Sequence, residues 1–458
     1  MNSLGFLRTT ACVLLLTGAS LGAAHAQSIS QALAAAYDHA PDLQSALLSA
    51  KASSEGIVQA KAGALPTIGA SVGGSYRSSL SGGNWINNAG LTTGLRYNQT
   101  IFDNGLTDAQ VEAARAGAEA AEYALRNTEQ NVLYEVVEAY MSVLSGRELV
   151  SLRQENLTFF QAQLQSAQDR LDVGEGTRID VAQAQARLAQ GQASYQAELA
   201  NLQVSEATFQ RLVGQRPQSL TVAHNYSALI PRSLESAISE AEIGHPGILQ
   251  AKAAIRAKQA AADVAESAFG PSASVTALAG TQWNQRSTAG ALSNTGDLSA
   301  SISFDITIPI YSGGRIGSGV RKANLERIGA EVDAMSAYDQ VRAAVIAAWT
   351  GIQSANAQIS AAQAAVTSSN TVLDGVIQER DLGTATTLDV LNAQADLTSA
   401  REALINASNG KTVATFSLLS AMGRLTARDL GLPVRIKTAV PYTQAVEDVW
   451  QELRTVVE

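Results

Sequence analysis

Two aspartates occupy matching positions near two turns of the chain, and each follows a threonine by three residues. The pairs are Thr177 with Asp180 and Thr386 with Asp389. One chemistry open to this spacing is a capping box, in which the threonine accepts from a backbone N–H and the carboxylate lies in the first helical turn. The other is a charged constriction. If several copies surround one axis, the carboxylates repel, raise one another's pKa and attract cations. Both roles can coexist, and we favour the constriction for Asp389 more than for Asp180.

No other group of residues predicts catalysis or a metal site. His39, His224 and His245 are scattered and lack metal-ligand spacing, so we expect structural roles for them. Gly313-Gly314 is not followed by the Lys-Ser/Thr of a phosphate loop, which favours a strand-to-helix turn. Because no nucleophile–base pair or cofactor loop is evident, we expect neither an enzyme nor a cofactor.

The first 26 residues are expected to be a secretory signal that is removed, with Arg8, an apolar stretch and the cleavage site Ala24-His25-Ala26. The only cysteine, Cys12, lies in it, which excludes disulfide and thiolate chemistry from the mature chain. The net charge is −9, or −10 without Arg8, which argues against a nucleic-acid partner. No other apolar stretch of about 18 residues is present, so no transmembrane helix is expected; an exported chain can also span a bilayer as a closed β-barrel.

The rest of the chain contains an internal tandem repeat. From Phe102 onward an offset of 209 relates the copies, as in Gly105 and Gly314, and before it the offset is 205, as in Pro66 and Pro271. A register held this long predicts two copies of one structural unit. The expected divisions are repeat 1 at 27–214, a linker at 215–232, repeat 2 at 233–423 and a tail at 424–458.

Each copy is expected to contain a pair of strands. In the clearest strand, Leu298 to Ile310, apolar residues alternate with polar ones with period two. The strands are predicted at about 67–78, 90–102, 272–285 and 297–311. Their connections, Ser79 to Ala89 and Arg286 to Gly296, are rich in Gly, Asn and Ser and are predicted to be loop tips. Each strand is long enough to cross a bilayer.

Two very long helices follow the strand pairs. Residues 105–172 and 314–381 contain no proline, and each would be roughly 100 Å long if continuous. Gly174 and Gly383 are expected to end them, and shorter helices return over 177–214 and 386–423. The abundant alanines permit close side-by-side packing of helices.

The strands cannot form a closed wall in one chain, because membrane barrels begin at about eight strands and open edges are not tolerated in lipid. Three copies would supply twelve strands, enough for a lumen. We therefore expect an α+β membrane protein: a homotrimeric twelve-stranded β-barrel, with four strands per chain, continuous with a long periplasmic α-helical barrel of twelve helices.

On these features the chain resembles the TolC family of outer-membrane efflux and secretion channels, over essentially all of residues 27–458. The likeness rests on the repeat, the breaks at Leu65-Pro66 and Gly270-Pro271, the strand exits at 101–105 and 310–314, and the tip motifs at 172–181 and 382–393. The resemblance implies a homotrimer in the outer membrane of a Gram-negative bacterium, with most of the chain, including the tail, in the periplasm. It also implies a passive exit duct for a tripartite efflux pump or a type I secretion system. The implied partners are outer-membrane lipid, a periplasmic adaptor (membrane fusion) protein and an inner-membrane ABC or RND-type transporter.

The resemblance also assigns site residues. Asp389 matches the first acidic ring of the family's periplasmic gate, and the second ring falls on Asn392, which is neutral. The family's latch arginine falls on Ala385 and its tyrosine partner on Arg380, so the latch must differ here. The implied latch residues are Asp180, Arg178, Arg380 and Thr386. The implied tip turns, which contact the adaptor, are Gly174, Thr177, Gly383 and Thr384. The implied helix–strand junctions are Pro66, Pro271, Gly105 and Gly314.

Two questions stay open. The first is whether the chain transports at all, since the alternative is a structural or adhesive trimeric coiled coil without transport, although strands lying inside each copy favour a duct. The second is the cargo, because small-molecule efflux and protein secretion are equally compatible with the sequence.

Overall fold

The computed structural model describes residues 27–221, 226–288 and 291–449. The expected signal segment, His224 and the last residues of the tail lie outside the described residues. The same order of elements occurs in both halves: two helices, two strands and two further helices. The helices are α1 (Ile29–His39), α2 (Pro41–Lys61), α3 (Leu106–Asp172), α4 (Arg178–Val213), α5 (Leu234–Gly244), α6 (Pro246–Ser267), α7 (Arg315–Asp381), α8 (Thr387–Ala421) and α9 (Val440–Val446).

One antiparallel sheet holds the strands β1 (Thr67–Ser81), β2 (Asn84–Phe102), β3 (Ser272–Thr288) and β4 (Ala291–Thr307), in that order. Its register places apolar residues opposite one another, for example Ile68 against Tyr97 and Ala277 against Ile302. One face is therefore apolar, yet Ile68 and Ile302 remain 76% and 81% exposed. The other face carries mostly Ser, Thr, Asn, Gln and charged residues.

The predicted loop tips are wrong, because the strands continue almost to the turns. β1 and β2 pair as far as Ser81 with Asn84, joined by Gly82 and Gly83, whose φ values are +57° and +81°. Two residues with positive φ make the tight turn that suits a twisted hairpin. The Asn and Ser residues that suggested loops belong instead to the ends of long strands.

The last predicted strand also ends earlier than expected. β4 stops at Thr307, whereas the alternation continued to Ile310. Pro309 has no N–H to donate to a ladder, so the pairing cannot continue through it.

The long helices form as predicted, and α3 and α7 each have 67 residues. Gly105 and Gly314 precede them with φ values of 80° and 82°, a conformation that glycine adopts at no steric cost. α4 and α8 pack back along them as antiparallel partners. Among the described residues, none of the helices combines the length and apolarity needed to cross a membrane.

The main core lies where the short helices meet the long ones. Tyr37, Tyr140, Phe209 and Phe416 are its largest fully buried side chains. The chain after α8 folds back onto this core. The Glu129 carboxylate accepts from the Ala427 N–H at 2.7 Å.

Candidate functional site

Both predicted capping boxes are present at the helix tips, with nearly identical geometry. Asp389 accepts from the Thr386 N–H at 2.9 Å and from its hydroxyl at 2.6 Å, and the Asp389 N–H donates back to that hydroxyl at 3.2 Å. The equivalent distances for Asp180 and Thr177 are 3.0, 2.7 and 3.2 Å. The side-chain and backbone hydrogen bonds from Thr386 lower the pKa of Asp389 below its usual range. Asp389 is solvent-exposed, so its charge is directed into water.

The turns at the tips are glycine-dependent. Gly174 and Gly383 have φ values of 83° and 82°. After Gly174, the Glu175 N–H bonds to the Arg170 carbonyl at 2.8 Å, and after Gly383 the Thr384 N–H bonds to the Glu379 carbonyl at 2.9 Å. These bonds satisfy carbonyls at the helix ends, as a Schellman motif does.

A cleft of about 140 Å³ lies between the two tips. It brings together several of the predicted residues, which are distant in sequence. It is lined by Ala167, Arg170, Gly176, Asp180, Ala385, Thr386 and Thr387. Arg170 and Ala385 line the same cleft, and sequence reasoning missed Arg170 because it belongs to no local motif.

The two predicted latch cations have different surroundings. Arg380 is largely buried and donates to Gln163 Oε1 at 2.5 Å and to Asp381 Oδ1 at 2.8 Å. Arg178 is exposed and makes no ion pair with another described residue of this chain. Neither arginine pairs with Asp180 within the chain.

Asn392 links the two helix pairs. Its Oδ1 accepts from Arg187 Nη2, on α4, at 2.7 Å. The neutral amide of Asn392 thus joins α8 to α4, a contact between residues 205 positions apart. Sequence reasoning missed Arg187 because it belongs to no local motif.

A second set of contacts missed from sequence joins α3 to α8, and we call it the polar seam. Gln394 Nε2 donates to Asn156 Oδ1 at 3.1 Å and lies 3.4 Å from the Thr398 hydroxyl. All three side chains are less than 10% exposed. Nearby, Arg401 Nη1 donates to Glu155 at 3.3 Å. Buried amides that satisfy each other fix one register of the two helices.

The predicted helix–strand junctions lie where expected. Pro66 and Pro271 stand immediately before β1 and β3, and Gly105 and Gly314 stand immediately before α3 and α7.

One junction is strengthened by side chains. The Asp103 carboxylate accepts from the Thr107 N–H at 2.8 Å and the Gly105 N–H at 3.2 Å. Burial opposes ionisation of Asp103, but the hydrogen bonds from Thr107 and Gly105 prevail and lower its pKa. The neighbouring Asn104 has a φ of 56° and donates to the Ser267 carbonyl, at the end of α6, at 3.1 Å.

The described histidines have structural surroundings. His245 caps α6, with its Nδ1 accepting from the Gly247 N–H at 3.0 Å, and burial lowers its pKa. The His39 ring lies against Gly214, where an added Cβ would approach it to 2.9 Å.

Comparison with known proteins agrees with this architecture. The model of the family described as outer membrane efflux protein matches residues 30–215 and 237–424. The outer membrane efflux protein BepC of Brucella suis is 37% identical over 450 residues, covering 97% of this chain and 96% of that protein. The outer membrane protein TolC of Escherichia coli is 26% identical over 432 residues, covering 91% and 87%. Among solved structures, the Campylobacter jejuni CmeC outer membrane channel superposes with a TM-score of 0.76 at 19% identity, covering 92% of this chain and 89% of that one.

The fold and the tips thus define a channel-type protein of the bacterial outer membrane. The chain belongs to the outer membrane efflux protein family. It is an outer-membrane efflux channel with a periplasmic helical part, and this confirms the resemblance, the localisation and the transport function expected from sequence. The relatives are channel proteins rather than enzymes, and the non-transporting stalk finds no support among them.

Proposed function

We propose that three copies assemble into one duct, in which twelve strands close a β-barrel and the long helices form a twelve-rod tube below it. The observation that carries this proposal is the exposed four-stranded sheet. Its order, β1-β2-β3-β4, leaves the outer edges of β1 and β4 unpaired among the described residues. Unpaired edges are excluded from lipid, so β4 of one copy must pair with β1 of the next.

The amphipathic faces support the same assembly. Val72 and Leu298 are 77% and 81% exposed on the apolar face, which a bilayer would cover. The opposite, polar face then faces a water-filled lumen. We also infer that the two halves of the chain are copies of one unit, since they share the order of elements and match the family model separately.

The duct would conduct passively, as the outer part of a tripartite efflux pump or a type I secretion system. An inner-membrane ABC or RND-type transporter would deliver the cargo through a periplasmic adaptor. The tip turns at Gly174, Thr177, Gly383 and Thr384 would contact the adaptor, because their rigid caps present a fixed surface at the end of the helices. Relatives include the cation efflux system protein CusC of E. coli, 25% identical over 378 residues.

The periplasmic entrance would be gated at the tips. Three Asp389 carboxylates near one axis would attract cations, and Asn392 would leave the next ring neutral. Arg178, exposed and without an ion-pair partner among the described residues, is the better candidate for the inter-chain latch with Asp180 of a neighbouring copy. Arg380 is already engaged with Gln163 and Asp381 and would hold α7 to α3 inside each chain.

The test is the mass and the conductance of the detergent-extracted particle. We expect the mass of three chains by native mass spectrometry, and single-channel conductance after reconstitution into a planar bilayer. A monomeric particle, or a trimer that inserts without conducting, would contradict the proposal.

A further inference from the structure

The charged residues of the sheet lie on one face in an ordered pattern. The strands carry five of them, Arg77, Arg96, Arg286, Asp297 and Asp305, and the register places all five on the polar face. In the proposed trimer this face lines the lumen, so the inference below rests on the proposed function.

Two of the arginines share one row at the hairpin end of the sheet. Arg77 is opposite Asn88, and Asn88 is opposite Arg286. Residues directly opposite in a sheet point to the same face, and two strand spacings separate the two arginine Cα atoms by roughly 10 Å. Both side chains are exposed, and their long stems allow the guanidinium groups to converge above Asn88.

This pair has no counter-charge within ion-pair distance among the residues that the structure describes. No ion pair among the described residues includes Arg77 or Arg286. The Asp297 carboxylate is on the same face, but its row is four residues nearer the helices, roughly 13 Å away.

We propose that Arg77, Asn88 and Arg286 form an anion-binding site at the outer mouth of the duct, which takes small multivalent oxyanions from the water of the lumen. Planar guanidinium groups bind oxyanions through paired, charge-assisted hydrogen bonds, and the Asn88 amide adds a neutral donor. Three chains would place six arginines around this mouth. The outer end of the duct therefore has the opposite charge to the Asp389 tips. Lipid headgroups are not the ligand, since the apolar face is on the other side of the sheet.

The experiment measures block of the reconstituted trimer by tripolyphosphate. Trimers are added to one compartment, so that the helical ends stay there and the hairpins reach the other, because the long polar helices cannot cross lipid. Tripolyphosphate added on the hairpin side should reduce the conductance of the wild-type channel. In the double variant Arg77→Gln/Arg286→Gln the half-blocking concentration should rise about tenfold or more, since the charge-assisted bonds are lost.

Two variants control for charge and position. Arg77→Lys/Arg286→Lys keeps the charge and should stay within about threefold of wild type at low salt, where electrostatic attraction is least screened. Arg96→Gln removes an arginine from the same face, on β2 eight residues deeper than Asn88 and opposite Leu278 of β3, and should leave the block unchanged. Native mass spectrometry of each variant checks that three chains still assemble.

The outcomes separate this proposal from the one it rests on. A wild-type trimer that does not conduct overturns both. A conducting wild type that tripolyphosphate does not block, a block unchanged in the double glutamine variant, or an equal loss in Arg96→Gln overturns the anion site alone. If the double variant does not assemble, the single variant Arg77→Gln decides by the same comparison.

Discussion

The polar seam provides a sharp test of how the two helix pairs are held together. Replacing Asn156 by alanine removes the acceptor for Gln394 and leaves that buried amide with only the longer contact to Thr398, at 3.4 Å. Because all three side chains are buried, water cannot replace the lost hydrogen bond without local opening.

The size of the effect follows from opposing contributions. A buried donor left without its partner costs about 1–3 kcal/mol. Alanine is the better helix former and returns up to ~0.7 kcal/mol. The net destabilisation of the α3–α8 contact should therefore be ~1–2 kcal/mol per chain, which corresponds to roughly 5–30-fold in a local opening equilibrium.

Hydrogen-exchange mass spectrometry of the detergent-solubilised protein measures this opening. Peptides from the first half of α8 and the facing part of α3 should exchange faster in Asn156→Ala by that factor. Asn131→Ala is the matched control, because Asn131 is exposed on the same helix and gains the same helix propensity. Adding Gln394→Ala should remove most of the effect of Asn156→Ala, since no buried amide is then left unpaired. Equal exchange in Asn156→Ala and Asn131→Ala would refute the role of the seam. Additive effects of Asn156→Ala and Gln394→Ala in the double variant would refute it as well.

Three further predictions concern the tips, one junction and one cap. Asp389→Asn should weaken block of the channel by multivalent cations added on the helical side, because three negative charges near the axis are lost, whereas Asp180→Asn, in the same capping geometry, should not. Gly270→Ala should lower the yield of assembled protein, because its Cβ would overlap the Asn104 amide and break the hydrogen bond of that amide to the Ser267 carbonyl; Asn104→Gly should restore the yield of that variant. The N-terminal cap of α6 should weaken as the pH falls below 6.5, the ordinary pKa of histidine. His245 accepts its hydrogen bond from Gly247 only when neutral, and burial depresses its pKa in the folded chain. His245→Asn should remove this pH dependence from the hydrogen exchange of α6.

Local signals in the sequence predicted much of the fold. Periodicity and proline placement indicated the long helices and their returns, and glycines at Gly174 and Gly383 marked their ends correctly. The capping boxes at Asp180 and Asp389 were also readable, because threonine and aspartate three residues apart interact within one turn. Composition misled at the hairpins, where Asn and Ser suggested loops but the exposed strands continue to the turn at Gly82 and Gly83.

Residues close together in the chain were sufficient to predict the elements and the family, since helix caps, strand alternation and breaks are local features. The contacts between distant side chains became visible only in the folded chain. Asn392 with Arg187, Asn156 with Gln394, and the row of Arg77 and Arg286 join residues about 200 positions apart or more. Such pairs arise from the register of packed helices and strands, and a shift of one residue would turn each side chain to another face.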